Sequence, residues 1–182
     1  VRVAVDSKAM KFVLGFLTGG IAAVAIPLVV LTTGSFNVAA TAKPSTFEKK
    51  IAPWALARAV KKQAPHQTVP FNTNDPAVLQ RGLIHYREEC AVCHGAPGLG
   101  AAALSKGLNP DAPMLDAPDV QKMSDGELFW VIKNGIRMTG MPAFGRGRKD
   151  EELWKIVAFI RHLDKLSAEE SARLRVHHHA ED

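Results

Sequence analysis

Residues 90–94 read Cys90-Ala91-Val92-Cys93-His94, and they contain the only two cysteines of the 182-residue chain. C-x-x-C-H is the attachment signature of a c-type haem. Two thiols three positions apart can add to the two vinyl groups of one porphyrin, and the next histidine can offer an imidazole nitrogen to the iron. A dithiol redox centre or half a zinc site would use the same spacing. Zinc needs two further ligands at suitable spacing, and no third cysteine exists. A dithiol centre would sit in a strand-to-helix turn, whereas this pair closes an amphipathic helix and enters a glycine-rich loop. The expected cofactor is therefore one covalent haem c on Cys90 and Cys93, with His94 as an iron ligand.

Immediately upstream, Asp75 is a good N-cap and Pro76 a good first helical residue, which predicts a helix from there into Cys90. Leu79, Leu83, Tyr86 and Cys90 share one face of it. Gly82 lies one turn before Tyr86 on nearly the same face. Glycine costs about 1 kcal/mol in a helix interior relative to alanine, so its presence there predicts a closely crossing helix. Downstream, Ser124-x-x-Glu127 is a capping box opening a helix that stops at Asn134-Gly135. A last major helix starts near Asp150, with Leu153, Ile156, Val157, Ile160 and Leu163 as its buried stripe and Phe159 expected against Gly82 and Tyr86. Ser167-x-x-Glu170 begins a further short helix, beyond which the chain should fray from Arg175. His177, His178 and His179 read as a solvated tail.

The ordered set Gly82-x-x-x-Tyr86-x-x-x-Cys90-Ala91-Val92-Cys93-His94, Asn134-Gly135-Ile136, Gly140-Met141-Pro142-Ala143-Phe144-Gly145 and a closing helix containing Trp154 to Phe159 resembles class I cytochromes c. It is similar to the single-haem domains of bacterial respiratory oxidases and dehydrogenases, and covers residues 75 to about 165. The resemblance implies an all-α class I cytochrome c fold. It also implies that a backbone carbonyl in the loop after His94, assigned to Pro110, accepts the other imidazole N–H of His94. Residues 95–123 are rich in glycine, proline and alanine, which argues against a compact fold unless a porphyrin supplies the surface on which the loop packs.

Sulfur, imidazole or water must complete the iron. Met141 is the expected ligand, with Pro142 stiffening the backbone, Gly140 and Gly145 turning the loop and Phe144 sealing the crevice. Met138 is the nearest rival; Met114 and Met123 have less defined context. His85 and His162 lie on predicted helices and His66 in a tether, so they are weaker alternatives. Trp130 reads as core, or as a donor to a haem propionate. Arg137 reads as a propionate partner or as part of a basic ring with Lys133, Arg146, Arg148 and Lys149, a segment from Leu128 to Lys149 that holds no acidic residue.

The remaining signal is N-terminal. Phe12 to Thr33 is uncharged and as a helix would span about 33 Å, against a hydrocarbon core of about 30 Å. A signal peptide cleaved near Val38-Ala39-Ala40-Thr41-Ala42 competes, but its apolar core would exceed the usual length. An uncleaved single-pass anchor is the favoured reading, and Met10-Lys11-Phe12 looks like a natural start. Flanking charge does not orient it, because Arg2, Lys8 and Lys11 are matched by Lys43, Lys49 and Lys50. The resemblance does, since haem c is attached outside the cytoplasmic membrane, placing residues after 42 in the periplasm. Ile51, Ala55, Leu56, Ala59 and Val60 recur at helical spacing with Arg58, Lys61 and Lys62 on another face. Pro53 fits the first turn of that helix and Pro65 its end. Such a helix could lie on anionic headgroups, dock on a partner subunit or be a solvated spacer. The expected organisation is an anchor region over 1–42 (span about 12–33), a basic helix and tether over 43–74, a cytochrome domain over 75–166, and a C-terminal helix and tail over 167–182.

The net charge of +5 is carried by residues 1–70, which hold nine basic and two acidic residues. No aromatic-interleaved basic surface or DNA-binding motif accompanies it, so nucleic acid is not an expected partner. The expected function is one-electron transfer between redox protein partners, as a subunit or tethered carrier of a membrane electron-transport complex, with membrane lipid as the other contact. The protein is expected not to be an enzyme in its own right. A haem enzyme or gas sensor with a labile methionine, and an assembly subunit, are the alternatives.

Overall fold

The computed structural model describes residues 7–175, and it divides into two compact units at Ala42. No strand occurs among the described residues, apart from an isolated bridge between Ala96 and Gly100. His177, His178 and His179 lie outside the described residues.

The first unit is dominated by α1, Ser7–Thr33. Its segment Met10–Thr33 is long and apolar enough to cross a membrane, and none of it is buried within the protein. Thr18, Thr32 and Thr33 return their hydroxyls to the carbonyls of Leu14, Leu28 and Val29 at 3.0, 2.9 and 2.7 Å. Each threonine hydroxyl of the run is thereby satisfied within the helix itself, as an apolar surrounding demands. Pro27 interrupts the hydrogen-bond ladder without ending the helix.

The second unit begins with α2, Thr46–Gln63. Pro53 does not sit in its first turn. Ser45 starts the helix a full two turns earlier, because its hydroxyl accepts from Glu48 N at 3.1 Å while the Glu48 carboxylate accepts from Ser45 N at 3.4 Å. Residues 64–74 do not hang free either. Val69 N donates to Asp125 Oδ2 at 3.2 Å, and Val69 and Phe71 pack against the main core. A Cβ at Gly126 would land within 3.0 Å of the Pro65 carbonyl carbon, so this glycine admits the crossing backbone.

The core is built where α3, Pro76–His85, crosses α7, Asp150–His162. Asp75 caps α3 by accepting from Ala77 N at 2.9 Å. A Cβ on Gly82 would lie 2.6 Å from that of Phe159 and closer still to the Lys155 carbonyl oxygen. Tyr86 and Phe159 then meet edge to face at 5.4 Å, both fully buried. α6, Asp125–Asn134, opens on the expected Ser124–Glu127 capping box and stacks Phe129 on Trp154 at 4.2 Å. Its start is tied down by Arg161 of α7, which donates to Asp125 Oδ1 at 2.8 Å and to the Gln121 carbonyl at 2.7 Å. The short α5, Pro118–Gln121, precedes it, and α8, Ala168–Arg175, follows the predicted Ser167–Glu170 box.

Candidate haem site

The helix that begins at Pro76 does reach Cys90, but it changes pitch on the way. Tyr86–Cys90 is a π-turn, closed by the bond from Ala91 N–H to the Tyr86 carbonyl, and α4, Ala91–His94, continues from it. The wider turn rotates everything C-terminal to it relative to α3, so Cys90 and His94 are buried while Cys93 is half-buried. Burial pushes the Cys90 thiol up to about 12, reinforced by Cys93, which keeps it protonated in the bare polypeptide.

After His94 the chain turns at Gly95, whose φ of +66° puts it in the left-handed region. A Cβ there would also strike Ala102 N at 3.3 Å, because the loop folds back tightly over this point. The Tyr86 hydroxyl donates to the Gly95 carbonyl at 2.9 Å, locking the loop to the helix. Burial holds Tyr86 neutral. The loop then reaches over the His94 ring, and Nδ1 lies 2.7 Å from the carbonyl oxygen of Pro113. This corrects the expected acceptor: it is Pro113, not Pro110. The Ser105 hydroxyl donates to the Ala112 carbonyl at 3.1 Å, which fixes the chain so that the next carbonyl, that of Pro113, meets the ring, while Pro110 stays exposed on the earlier bend. His94 Nε2 makes no hydrogen bond to any described residue. Burial lowers the affinity of His94 for a proton, partly offset by the bond to Pro113.

The methionine loop is organised from the end of α6. Gly135, at φ +65°, has no room for a side chain: a Cβ would lie 2.7 Å from both the Met141 carbonyl oxygen and the Pro142 carbonyl carbon. Ile136 N donates to the Met141 carbonyl at 3.2 Å. Thr139 Oγ1 donates to the Ile136 carbonyl at 2.8 Å and accepts from Met141 N at 3.1 Å. The Met141 backbone is thus held by two hydrogen bonds, with Thr139 itself anchored on Ile136, and Met141 packs against the same apolar cluster that contains Cys90, Ala91 and Ala96. Met138 sits at φ +62° and is 92% exposed. Gly140 lies in a bend and Gly145 in the short 3-10 turn Phe144–Arg146, neither at positive φ. Both also serve close approach, since a Cβ at 140 would lie 2.6 Å from Leu108 Cδ2 and one at 145 would lie 2.8 Å from the Lys133 carbonyl oxygen.

A family model described as cytochrome c oxidase, cbb3-type, subunit III matches residues 77–160. These residues form a c-type cytochrome domain. No curated protein matches the chain.

The residues of the cytochrome domain fit the haem that its family implies. A buried imidazole with one nitrogen committed to a carbonyl and the other unengaged is the donor that iron requires, with a free thiol on either side of one helical turn before it. Phe144 is half-buried beside Met141 and lines a cleft of about 290 Å³ with Glu89, Ala143, Gly147 and Arg148. Trp130 is half-buried and Arg137 is exposed, and neither side chain has a hydrogen-bond partner among the described residues. The basic ring is smaller than the sequence suggests. Lys133 pairs with Asp150 at 2.8 Å and Arg148 is bidentate to Glu89, leaving Arg137, Arg146 and Lys149 without ion pairs among the described residues. His162 lies 3.3 Å from Glu170, and His85 is buried against α7.

The Pro113 acceptor, the Thr139 strut and the Glu89–Arg148 pair were missed from sequence. Thr139 had a readable signal, a hydroxyl two residues before the methionine in a glycine-bounded turn.

Proposed function

We propose that this chain is a membrane-anchored, monohaem electron carrier. Cys90 and Cys93 would hold one haem by adding their S–H bonds across its two vinyl groups, and His94 Nε2 and Met141 Sδ would hold its iron. Met10–Thr33 crosses the cytoplasmic membrane and the cytochrome domain lies on its periplasmic side. Its partners are redox proteins, other subunits of a membrane electron-transport complex, reached through the surface around Arg137, Arg146 and Lys149.

The observation that carries this reading is the commitment of His94 Nδ1 to the Pro113 carbonyl at 2.7 Å. It fixes the ring and its tautomer, leaves Nε2 as the lone-pair donor, and strengthens that donation. On the other side, Gly135 and Thr139 hold the Met141 backbone in one conformation, and Phe144 shields the methionine loop from water. Bound haem supplies a one-electron iron couple, which a thioether ligand biases toward the ferrous state. With His94 and Met141 both holding the iron, a bound haem would supply electron transfer rather than substrate chemistry.

The test is the ferric methionine-to-iron charge-transfer band of protein matured with haem-attachment machinery. Met141→Ala should abolish it and Met138→Ala should leave it intact. The reverse pattern would reject the ligand assignment.

A further inference from the structure

α2 carries a surface that electron transfer does not explain. Phe47, Ile51, Trp54 and Arg58 recur at i, i+4, i+7 and i+11 and so share one helical face. The three apolar members are 73%, 42% and 57% exposed. Val60, the buried residue of the helix, projects from the opposite side, where α2 meets α6. Residues 46–59 are exposed on every side and only Val60 packs, so the aromatic face is the apolar, cation-rimmed side of a helix that the rest of the protein leaves largely uncovered.

Lys50, Lys61 and Lys62 border that stripe. They form no ion pair with the described residues, and the Arg58 guanidinium lies over the Trp54 ring at 5.0 Å. Glu48, the only acidic residue of the helix, is turned away and engaged in the Ser45 capping box. A stripe of aromatic and aliphatic side chains rimmed by cations has the chemistry of a helix lying in a bilayer interface, its rings at headgroup level and its cations on lipid phosphates. The segment is also confined near such a surface. Residues 34–45 alone join it to the apolar span and reach at most about 40 Å when fully extended.

We infer that α2 docks the Phe47, Ile51, Trp54 face of this chain onto an anionic lipid surface. This rests on the membrane-span reading only for proximity, since the face and its charge belong to α2 alone. Docking would give the cytochrome domain a fixed side toward the bilayer and restrict which of its surfaces a partner can reach.

Electron paramagnetic resonance of the full chain tests this, with a nitroxide at Ile51→Cys on the face or at Ala52→Cys off it. The parent chain supplies the background from its own cysteines. In nanodiscs containing phosphatidylglycerol, the label at 51 should gain accessibility to oxygen and lose, severalfold, accessibility to a water-soluble nickel chelate. The label at 52 should change little. Pure phosphatidylcholine discs, or the combined Lys50→Gln, Arg58→Gln, Lys61→Gln and Lys62→Gln variant with an unaltered haem spectrum, should lose the effect. Equal chelate accessibility at 51 in anionic and neutral discs would overturn the inference, as would equal shielding at 51 and 52. Shielding that appears only in native membranes would assign the face to a protein partner instead. Carbonate extraction reports the span separately; a chain that is extracted refutes the anchor, while the label at 51 on anionic vesicles still decides α2.

Discussion

His85 is the residue whose surroundings are least explained by packing alone. The residue is 3% exposed, and neither ring nitrogen has a hydrogen-bond partner. Burial, and then the charge of Arg148, hold its proton affinity below the usual 6.5; Arg81 adds to this, while Glu152, 3.8 Å away, and Glu88 oppose it. The sign follows directly. Between the depressed folded value and 6.5 the unfolded chain binds more protons than the folded one, so stability is complete above about pH 6.5 and declines as pH falls below it. His85→Gln should remove that part of the decline. The check is the denaturant midpoint of the ferric protein at pH 7 and pH 5.5, with parallel losses in both proteins refuting His85 as the source. This residue was legible in sequence only as a helical histidine, because burial and the approach of Arg148 come from elements far along the chain.

At the scale of elements, three of the helix caps were legible locally, while most of the contacts made between distant segments were not. Asp75, Ser124 and Ser167 cap where their spacing says they should, since a cap needs only a few neighbouring residues. Gly82 was readable because a glycine inside a helix needs a reason, and Phe159 is that reason. The Ser45–Glu48 box was equally local, but Pro53 invited a later start for α2. The π-turn at Tyr86–Cys90 leaves no periodic trace in five residues. The identity of the His94 acceptor was hidden because residues 95–117 pack by turns and single hydrogen bonds rather than by a repeating pattern. The bidentate Glu89–Arg148 pair joins the haem-attachment segment to the end of the methionine loop, and the two side chains are 18% and 25% exposed. Arg148→Met should destabilise the fold by about 1–2 kcal/mol, because it strands a half-buried carboxylate. Thermal loss of the methionine-to-iron band should come at lower temperature than in the parent, with Arg148→Lys intermediate. An unchanged melting profile in Arg148→Met would show that the pair does not brace the loop.

For the whole molecule, the fold makes sense only around a cofactor. The core formed by α3, α6 and α7 is fully protein, but the long stretch from Gly95 to Ala117 holds itself by isolated contacts such as Tyr86 to Gly95 and Ser105 to Ala112. Loops of this length without regular structure are uncommon in compact domains and usually serve a function, and packing on a haem is the function proposed for this one. The charge is divided in the same sense: the excess of cations lies in the first seventy residues, with the span and α2, while the cytochrome domain is close to neutral. The claim on which all of this depends is a porphyrin joined through sulfur to Cys90 and Cys93. It is tested most directly by acidified-acetone extraction of protein matured with haem-attachment machinery, followed by the alkaline pyridine haemochrome spectrum. The account predicts that one haem per chain stays with the polypeptide and gives the spectrum of saturated, thioether-bearing side chains; haem that extracts freely, or none bound at all, would contradict it.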